Sequence, residues 1–105
     1  MKPTNIAEVR SALQSSSELY SEFLRVPDLS CGLYRLAAGS KDPQSPHNED
    51  EVYYVISGLA SIQIGEQTFP AGQGDVIYVE KKAKHHFFDI KEDLELLVFF
   101  APAET

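Results

Sequence analysis

The feature that most constrains this chain is a series of short segments rich in Val, Ile, Tyr and Phe, separated by residues that favour turns. Segments of this kind at nearly even spacing, with no helical pattern between them, are typical of an antiparallel sandwich or barrel. We therefore predict an all-β fold, with turns that include 57–58, 70–72 and 91–93. Gly65 and Glu66 would form a two-residue loop with glycine first, as a type II′ hairpin requires. The predicted strands are 18–26, 29–38, 52–56, 60–64, 75–79, 85–90 and 94–100.

Several of these strands are apolar on both faces. Every side chain in 52–56 and in 97–100 is aliphatic or aromatic, whereas a sheet with one wet face alternates apolar with polar residues. One face is therefore expected to line an interior, and the other to be covered by a helix, a second sheet or a partner subunit. A domain this small has little chain of its own to cover two faces, so we expect a homodimer.

One short helix is predicted, at about residues 5–14. Asn5 can cap its first turn, Glu8 follows three residues later as in a capping box, and Ile6, Val9 and Leu13 form an apolar stripe. A helix of this length is marginal on its own. Its stripe is therefore expected to pack on the body of the domain or on a second subunit.

Length, charge and cysteine content narrow the class of protein. The 105 residues suffice for one domain, 1–105, and sixteen Asp+Glu against nine Lys+Arg give a net charge of −7. That charge argues against nucleic acid or an anionic membrane as a partner, because phosphate affinity comes mainly from Lys and Arg. We recognise no secretory signal and no apolar run near the ~20 residues that cross a bilayer. Cys31 is the single cysteine, so a cytoplasmic location is expected.

The residues that could carry chemistry are the histidines His47, His85 and His86, the first of which is followed by a run of acidic residues. Imidazoles and carboxylates around a cavity are ligands for first-row divalent ions. An extended chain from His47 to Glu51 would span roughly 13 Å, so both can reach one ion only if the chain turns between them. Glu49 would then lie in the turn and face water, or serve as a substitute ligand if the turn is shaped differently. The alternative to metal ligation is that residues 47–51 form a solvated acidic turn.

Two stretches resemble the consensus motifs of the cupin superfamily. The first family motif runs Gly, five residues, His, one residue, His, three or four residues, Glu, six residues, Gly. Its positions fall here on Gly39, Ser45, His47, Glu51 and Gly58. The second runs Gly, five residues, Pro, one residue, Gly, two residues, His, three residues, Asn. Its positions fall on Gly74, Glu80, Lys82, His85 and Asp89.

The resemblance implies a fold and a ligand set. The fold is an antiparallel jelly-roll barrel, the double-stranded β-helix, over about residues 18–101 behind the helix. The ligand set is His47, Glu51 and His85, holding Fe, Mn, Ni, Zn or Cu. Ser45 stands where the family has its first histidine, so three histidines become two, and Ser45 is left as a weak or outer contact. Glu80, Lys82 and Asp89 also depart from the motif, which affects the shape of the loop more than ligation.

The two adjacent histidines cannot both face the interior, since side chains alternate along a strand. Hydrophobic parity alone favours His86, because Phe88 and Ile90 share its side. The motif spacing favours His85 and assigns Phe88 and Ile90 to a covered outer face, and we follow the spacing.

Three functions of different classes follow. The first is a metal-binding cupin that takes a small-molecule ligand and, if it is an enzyme, acts as a dioxygenase, isomerase or lyase. The second is a non-catalytic module that binds a small ligand or dimerises, with a degenerate metal site. The third is a metal-free hydrolase or epimerase that uses Glu49 and Glu51 as paired carboxylates.

Candidate cavity-lining residues are Tyr53, Tyr78 and Phe87. Lysines 81, 82 and 84 either attract an anionic substrate or form a solvated turn.

Overall fold

The computed structural model describes residues 2–105 and confirms a mostly antiparallel β fold with one short helix. The elements are α1 (Ile6–Gln14), β1 (Tyr20–Val26), β2 (Leu29–Leu36), β3 (Asp50–Ile64), β4 (Gln67–Gly72), β5 (Val76–Val79) and β6 (His85–Ala101). The strands hydrogen-bond in the order β1-β2-β6-β3-β4, and β5 pairs with β3 as well. Between residues 2 and 105, no helix is long and apolar enough to cross a membrane.

Two long strands, β3 and β6, replace four of the predicted short ones. The predicted turns at 57–58 and 91–93 are wrong, because the chain bends there without leaving the ladder. The β3–β6 register shifts between Val55 and Ser61, which marks bulged and bent strands. Gly58 makes the bend possible: its φ is 105°, and a Cβ atom on it would lie 2.4 Å from the Asp93 carbonyl oxygen.

Strand β4 was not predicted, since its Pro70 and Gly72 read as a turn. It is the last strand in the sheet order, where a proline can be tolerated because one side of the strand needs no partner. The hairpin before it is as expected. Ile64 pairs with Gln67, and of the two loop residues only Gly65 has positive φ, as type II′ requires.

The interior holds side chains from β2, β3, β4, β5 and β6. The prediction that Ile90 faces outward is wrong: it is 5% exposed and belongs to the core. Asp89 has a φ of 49°, and this left-handed residue interrupts the alternation after His85 and Phe87. The buried core is formed by Tyr34, Leu36, Tyr53, Val55, Ala60, Ile62, Ala71, Val79, Phe87, Ile90, Leu94, Leu96, Val98 and Phe100.

Helix α1 packs against β1 and β2 and covers part of the outer sheet face. Asn5 caps it by accepting a hydrogen bond from the Ala7 N–H, and Leu13 is buried. Beyond the helix the outer face is open: Tyr54 is 40% and Val76 70% exposed. Cys31 is buried, as expected of a small apolar residue in a strand, and burial raises the pKa of its thiol to about 11.

Candidate metal centre

Three of the predicted site residues come from separate parts of the chain. His47 lies in the segment before β3, Glu51 is the second residue of β3, and His85 is the first residue of β6. Glu51 Oε1 is 3.0 Å from His85 Nε2 and 4.0 Å from His47 Nε2. Each residue places one donor atom within 4.8 Å of those of the other two. The structure thus brings together the set that the cupin resemblance implied.

The position of His85 depends on curvature rather than on strand pairing. Glu51 pairs with Phe100 of β6, whereas His85 pairs with Ile64 of β3. On a straight ladder, at about 3.3 Å per residue, these two rungs would be roughly 40 Å apart. The bend in β3 and β6 closes this separation and directs both side chains into the same interior. His86 points the other way and is exposed, as the motif spacing predicted.

Hydrogen bonds fix which nitrogen of each imidazole faces the cluster. His85 Nδ1 is 2.9 Å from the Ala83 carbonyl oxygen, which can only accept, so this nitrogen carries the proton. His47 Nδ1 is 3.1 Å from Oε2 of Glu104 and its Nε2 is 3.4 Å from Gln44 Oε1, so either nitrogen of His47 has an acceptor for the proton. In the neutral form that is protonated on Nδ1, the Nε2 lone pair of each imidazole faces the Glu51 carboxylate.

Glu51 is a buried carboxylate whose basic neighbours in the described residues are two imidazoles. It is 2% exposed, and neither of its oxygens has a partner with hydrogen-bond geometry; the same is true of His85 Nε2. No Lys or Arg within residues 2–105 forms an ion pair with it. Burial lowers the pKa of His85, but the Glu51 carboxylate and the Ala83 carbonyl outweigh burial and raise it. Converging lone pairs around a buried anion fit a divalent cation.

A side chain that the sequence did not indicate completes the cluster. Gln44 Oε1 lies 3.4 Å from His47 Nε2 and accepts a 2.7 Å hydrogen bond from the Tyr53 hydroxyl. Ser45, which occupies the motif position, is exposed instead. Residues 44 and 45 precede β3 and have no strand alternation, so spacing could not tell which of the two points inward.

The other predicted residues have varied positions. Phe87 packs edge-on against buried Tyr53, with ring centroids 5.0 Å apart, and both lie in the core beside the cluster. Tyr78 does not line the cavity: it is 58% exposed and its hydroxyl donates to Asp50. Glu49 does not face water. It is buried, and its carboxylate accepts hydrogen bonds from Thr105, because the segment after β6 folds back over it.

A cavity of about 340 Å³ adjoins the cluster, with His47 and Glu51 in its wall. In the described part of the chain, no lysine or arginine lines it; lysines 81, 82 and 84 are exposed elsewhere. Tyr20 reaches into this cavity over Gly32, where a Cβ atom would lie 2.3 Å from the tyrosine hydroxyl. That hydroxyl is buried without a partner. The remaining walls are mostly apolar, formed by Leu19, Tyr34, Pro43, Val98 and Phe100.

The antiparallel barrel and the inward-facing His–Glu–His cluster define a cupin. Residues 32–100 match the cupin domain family, and the chain belongs to it. An uncharacterised protein of Streptomyces coelicolor is 42% identical over 105 residues, which is 100% of both chains.

Solved structures agree on the double-stranded β-helix. The TT1209 protein of Thermus thermophilus matches with a TM-score of 0.78 and 20% identity, covering 98% of this chain and 99% of its own. The plu4264 protein of Photorhabdus luminescens matches with a TM-score of 0.68 and 26% identity, covering 77% of this chain and 72% of its own. The likeness at 20% identity shows the fold alone.

Proposed function

We propose that this cupin holds a divalent metal ion with His47, Glu51 and His85, and binds a small molecule beside it in the adjoining cavity. The observation that carries the proposal is the buried, unpartnered carboxylate of Glu51, faced by two imidazole lone pairs. Without a metal ion, only a protonated imidazole can compensate this buried charge in the described residues, and a buried charge with no partner costs several kcal/mol. Two imidazoles and one carboxylate suit Fe, Mn, Ni, Zn or Cu.

The bound metal would act as a Lewis acid that holds an oxygen or sulfur atom of the ligand. The chain's own residues would select and orient that ligand. The mostly apolar walls exclude water from the body of the ligand.

Charge narrows the class of ligand. A divalent ion with the single charge of Glu51 leaves one positive charge, which one anionic group on the ligand can balance. The cavity offers no lysine or arginine in the described residues for a second anionic group, and Glu18 and Glu104 lie in its wall. We therefore expect a small, largely apolar ligand with at most one negative charge. Because lysines 81, 82 and 84 do not line this cavity, we favour the solvated turn over the attraction of an anionic substrate as their role.

Reaction class, oligomeric state and location remain predictions. A dioxygenase, isomerase or lyase would each use an open metal position beside such a cavity. The homodimer is favoured by the exposed Tyr54 and Val76 on the sheet face that α1 leaves open. The cytoplasmic location rests on the lone, buried Cys31.

The test is the metal content of untagged protein purified without chelator, measured by elemental mass spectrometry. We expect about one divalent ion per chain, lost in His85→Ala with the fold retained by circular dichroism. His86→Ala is the matched control, because its imidazole is adjacent in sequence but exposed, and it should keep its metal.

Two outcomes would overturn the proposal. One is metal-free wild-type protein that gives no calorimetric response to Fe²⁺, Mn²⁺, Ni²⁺, Zn²⁺ or Cu²⁺. The other is equal loss of metal in the two histidine variants, which would show that binding is not at the interior cluster.

A further inference from the structure

The cupin motif has a histidine at the position of residue 45, where this chain has an exposed serine. The space this leaves beside His47 is taken by the side chain of Gln44, one residue earlier. We propose that the amide oxygen of Gln44 is a fourth metal ligand that replaces the missing imidazole. This inference rests on the proposed function, since it concerns the same ion.

The orientation of the Gln44 amide follows from its neighbours. Its Nε2 donates a 2.6 Å hydrogen bond to Oδ2 of Asp42. Asp42 also accepts from the Tyr34 hydroxyl and from the backbone N–H of Phe87, so this carboxylate is held in place by three donors. Rotating the amide by 180° would set its oxygen against a carboxylate oxygen at the same distance, which is repulsive. Asp42 thus forces Oε1 to point toward the cluster.

The Gln44 amide oxygen lies close to acceptor atoms as well as to one hydrogen-bond donor. The Tyr53 hydroxyl donates to it at 2.7 Å, and a hydroxyl has only one proton to give. His47 Nε2 lies 3.4 Å from the same oxygen, and it presents a lone pair when the His47 proton is on Nδ1 beside Glu104. In that form, the amide oxygen and the imidazole lone pair need an electropositive partner between them. A cation shared with His47 and Glu51 would supply it.

The substitution changes the character of the donor set. Two imidazole nitrogens, one carboxylate oxygen and one amide oxygen form a harder set than three imidazoles and one carboxylate, at the same net charge of −1. Tyr53 and Asp42 hold the amide from both ends, so little side-chain entropy is lost when the oxygen binds. Gln44 would therefore contribute affinity despite being a neutral, weak ligand.

The experiment is a titration of untagged, metal-free protein with Co²⁺, followed by visible absorption, which reports both affinity and the ligand set. Gln44→Leu removes the oxygen and keeps most of the volume. We expect its Co²⁺ affinity to fall about 10–100-fold and its absorption bands to shift. Gln44→His offers a neutral imidazole from the same position and should recover most of the affinity.

Two controls separate ligation from a structural role. Ser45→Ala removes the exposed hydroxyl at the motif position and should leave affinity and spectrum unchanged. Tyr53→Phe removes the hydrogen bond to Gln44 but no ligand, so it should weaken binding by less than about fivefold with the bands in place. Circular dichroism of each variant without metal checks the fold.

The results distinguish this inference from the proposed function. If wild-type protein binds neither Co²⁺ nor any ion of the earlier test, the proposed function fails. If wild-type protein binds Co²⁺ and Gln44→Leu has the same affinity and spectrum, the metal site stands and the role of Gln44 is wrong. The role of Gln44 is also overturned if Tyr53→Phe reproduces the whole loss and the same band shifts, because Gln44 would then act only by packing.

Discussion

Glu51 and Glu95, two of the three buried glutamates in the described residues, have opposite surroundings. Glu95, on the outer face under α1, is 4% exposed and lies between two arginines. Arg10 Nε donates to it at 2.8 Å, and Arg35 Nε is 3.2 Å away. Glu51, in the interior, is 2% exposed and faces two imidazoles and no arginine or lysine in the described chain.

The difference separates a structural carboxylate from a functional one. A buried charge is tolerated when the fold itself supplies its counter-charge, as the arginines do for Glu95. The fold supplies Glu51 only with groups that can share a proton or a metal ion. Its counter-charge is therefore exchangeable with solution, which is what a binding site requires.

The largest expected effect is on metal binding in Glu51→Gln. Loss of the single charged ligand should weaken divalent-ion affinity by at least about 100-fold, measured by calorimetry. The metal-free variant should be at least as stable as wild type in urea with chelator present, because a poorly compensated buried charge has been removed. Strong destabilisation of the metal-free protein would instead make Glu51 a structural residue like Glu95.

Glu95→Gln should show the reverse pattern. Two arginines lose their partner, and urea denaturation should reveal a loss of about 1–3 kcal/mol, reduced from the value for a fully buried pair because both guanidinium groups are partly exposed. Metal affinity should remain within about threefold of wild type, since Glu95 lies on the opposite face of the sheet. If Glu95→Gln lost as much metal affinity as Glu51→Gln, the division into a structural and a functional glutamate would be wrong.

The smallest effect is the pH dependence of stability. The pKa of His85 is raised in the folded protein. In metal-free protein its contribution is therefore fully present below the unfolded pKa of about 6.5, and is lost as pH rises through the folded value. Urea unfolding in the presence of chelator should show stability falling as the pH rises above about 6.5, and this dependence should flatten in His85→Gln.

With metal present the trend should reverse, because the ion competes with the proton for His85 and binds better as pH rises. We expect the contribution of the Glu95–arginine ion pairs to stability to be independent of pH in this range, because arginine stays protonated throughout it. A metal-free protein whose stability rises with pH would contradict the assignment of the Glu51–His85 contact.

Local pattern was sufficient for much of the fold. The β-branched and aromatic segments predicted the all-β class, Asn5 predicted the helix start, and Gly65 predicted the hairpin type, because each of these depends on neighbours within a few residues. The long bent strands were predicted wrongly as pairs of strands, since a bulge and a turn have similar composition. Strand β4 was missed because its pairing partner, not its own sequence, holds it in the sheet.

For the site, motif spacing led to His47, Glu51 and His85, and alternation then placed His86 outside. Gln44, Glu104 and Tyr20 could not be found this way. Gln44 is fixed by Asp42 and Tyr53, Glu104 reaches His47 from the far end of the chain, and Tyr20 depends on the space above Gly32. Glu104 and Tyr20 are set by contacts with residues distant in sequence, and Gln44 lies in an irregular segment where no strand alternation indicates its direction.

By itself, the order of residues determined the all-β class, most of the strand segments and the three ligands His47, Glu51 and His85, because backbone preference and donor chemistry are local properties. Only the tertiary structure decided that buried Glu95 meets arginines whereas buried Glu51 meets imidazoles. The physical reason is the bend in β3 and β6, which brings Glu51 and His85 within 3.0 Å of each other from strand positions that are far apart along the ladder.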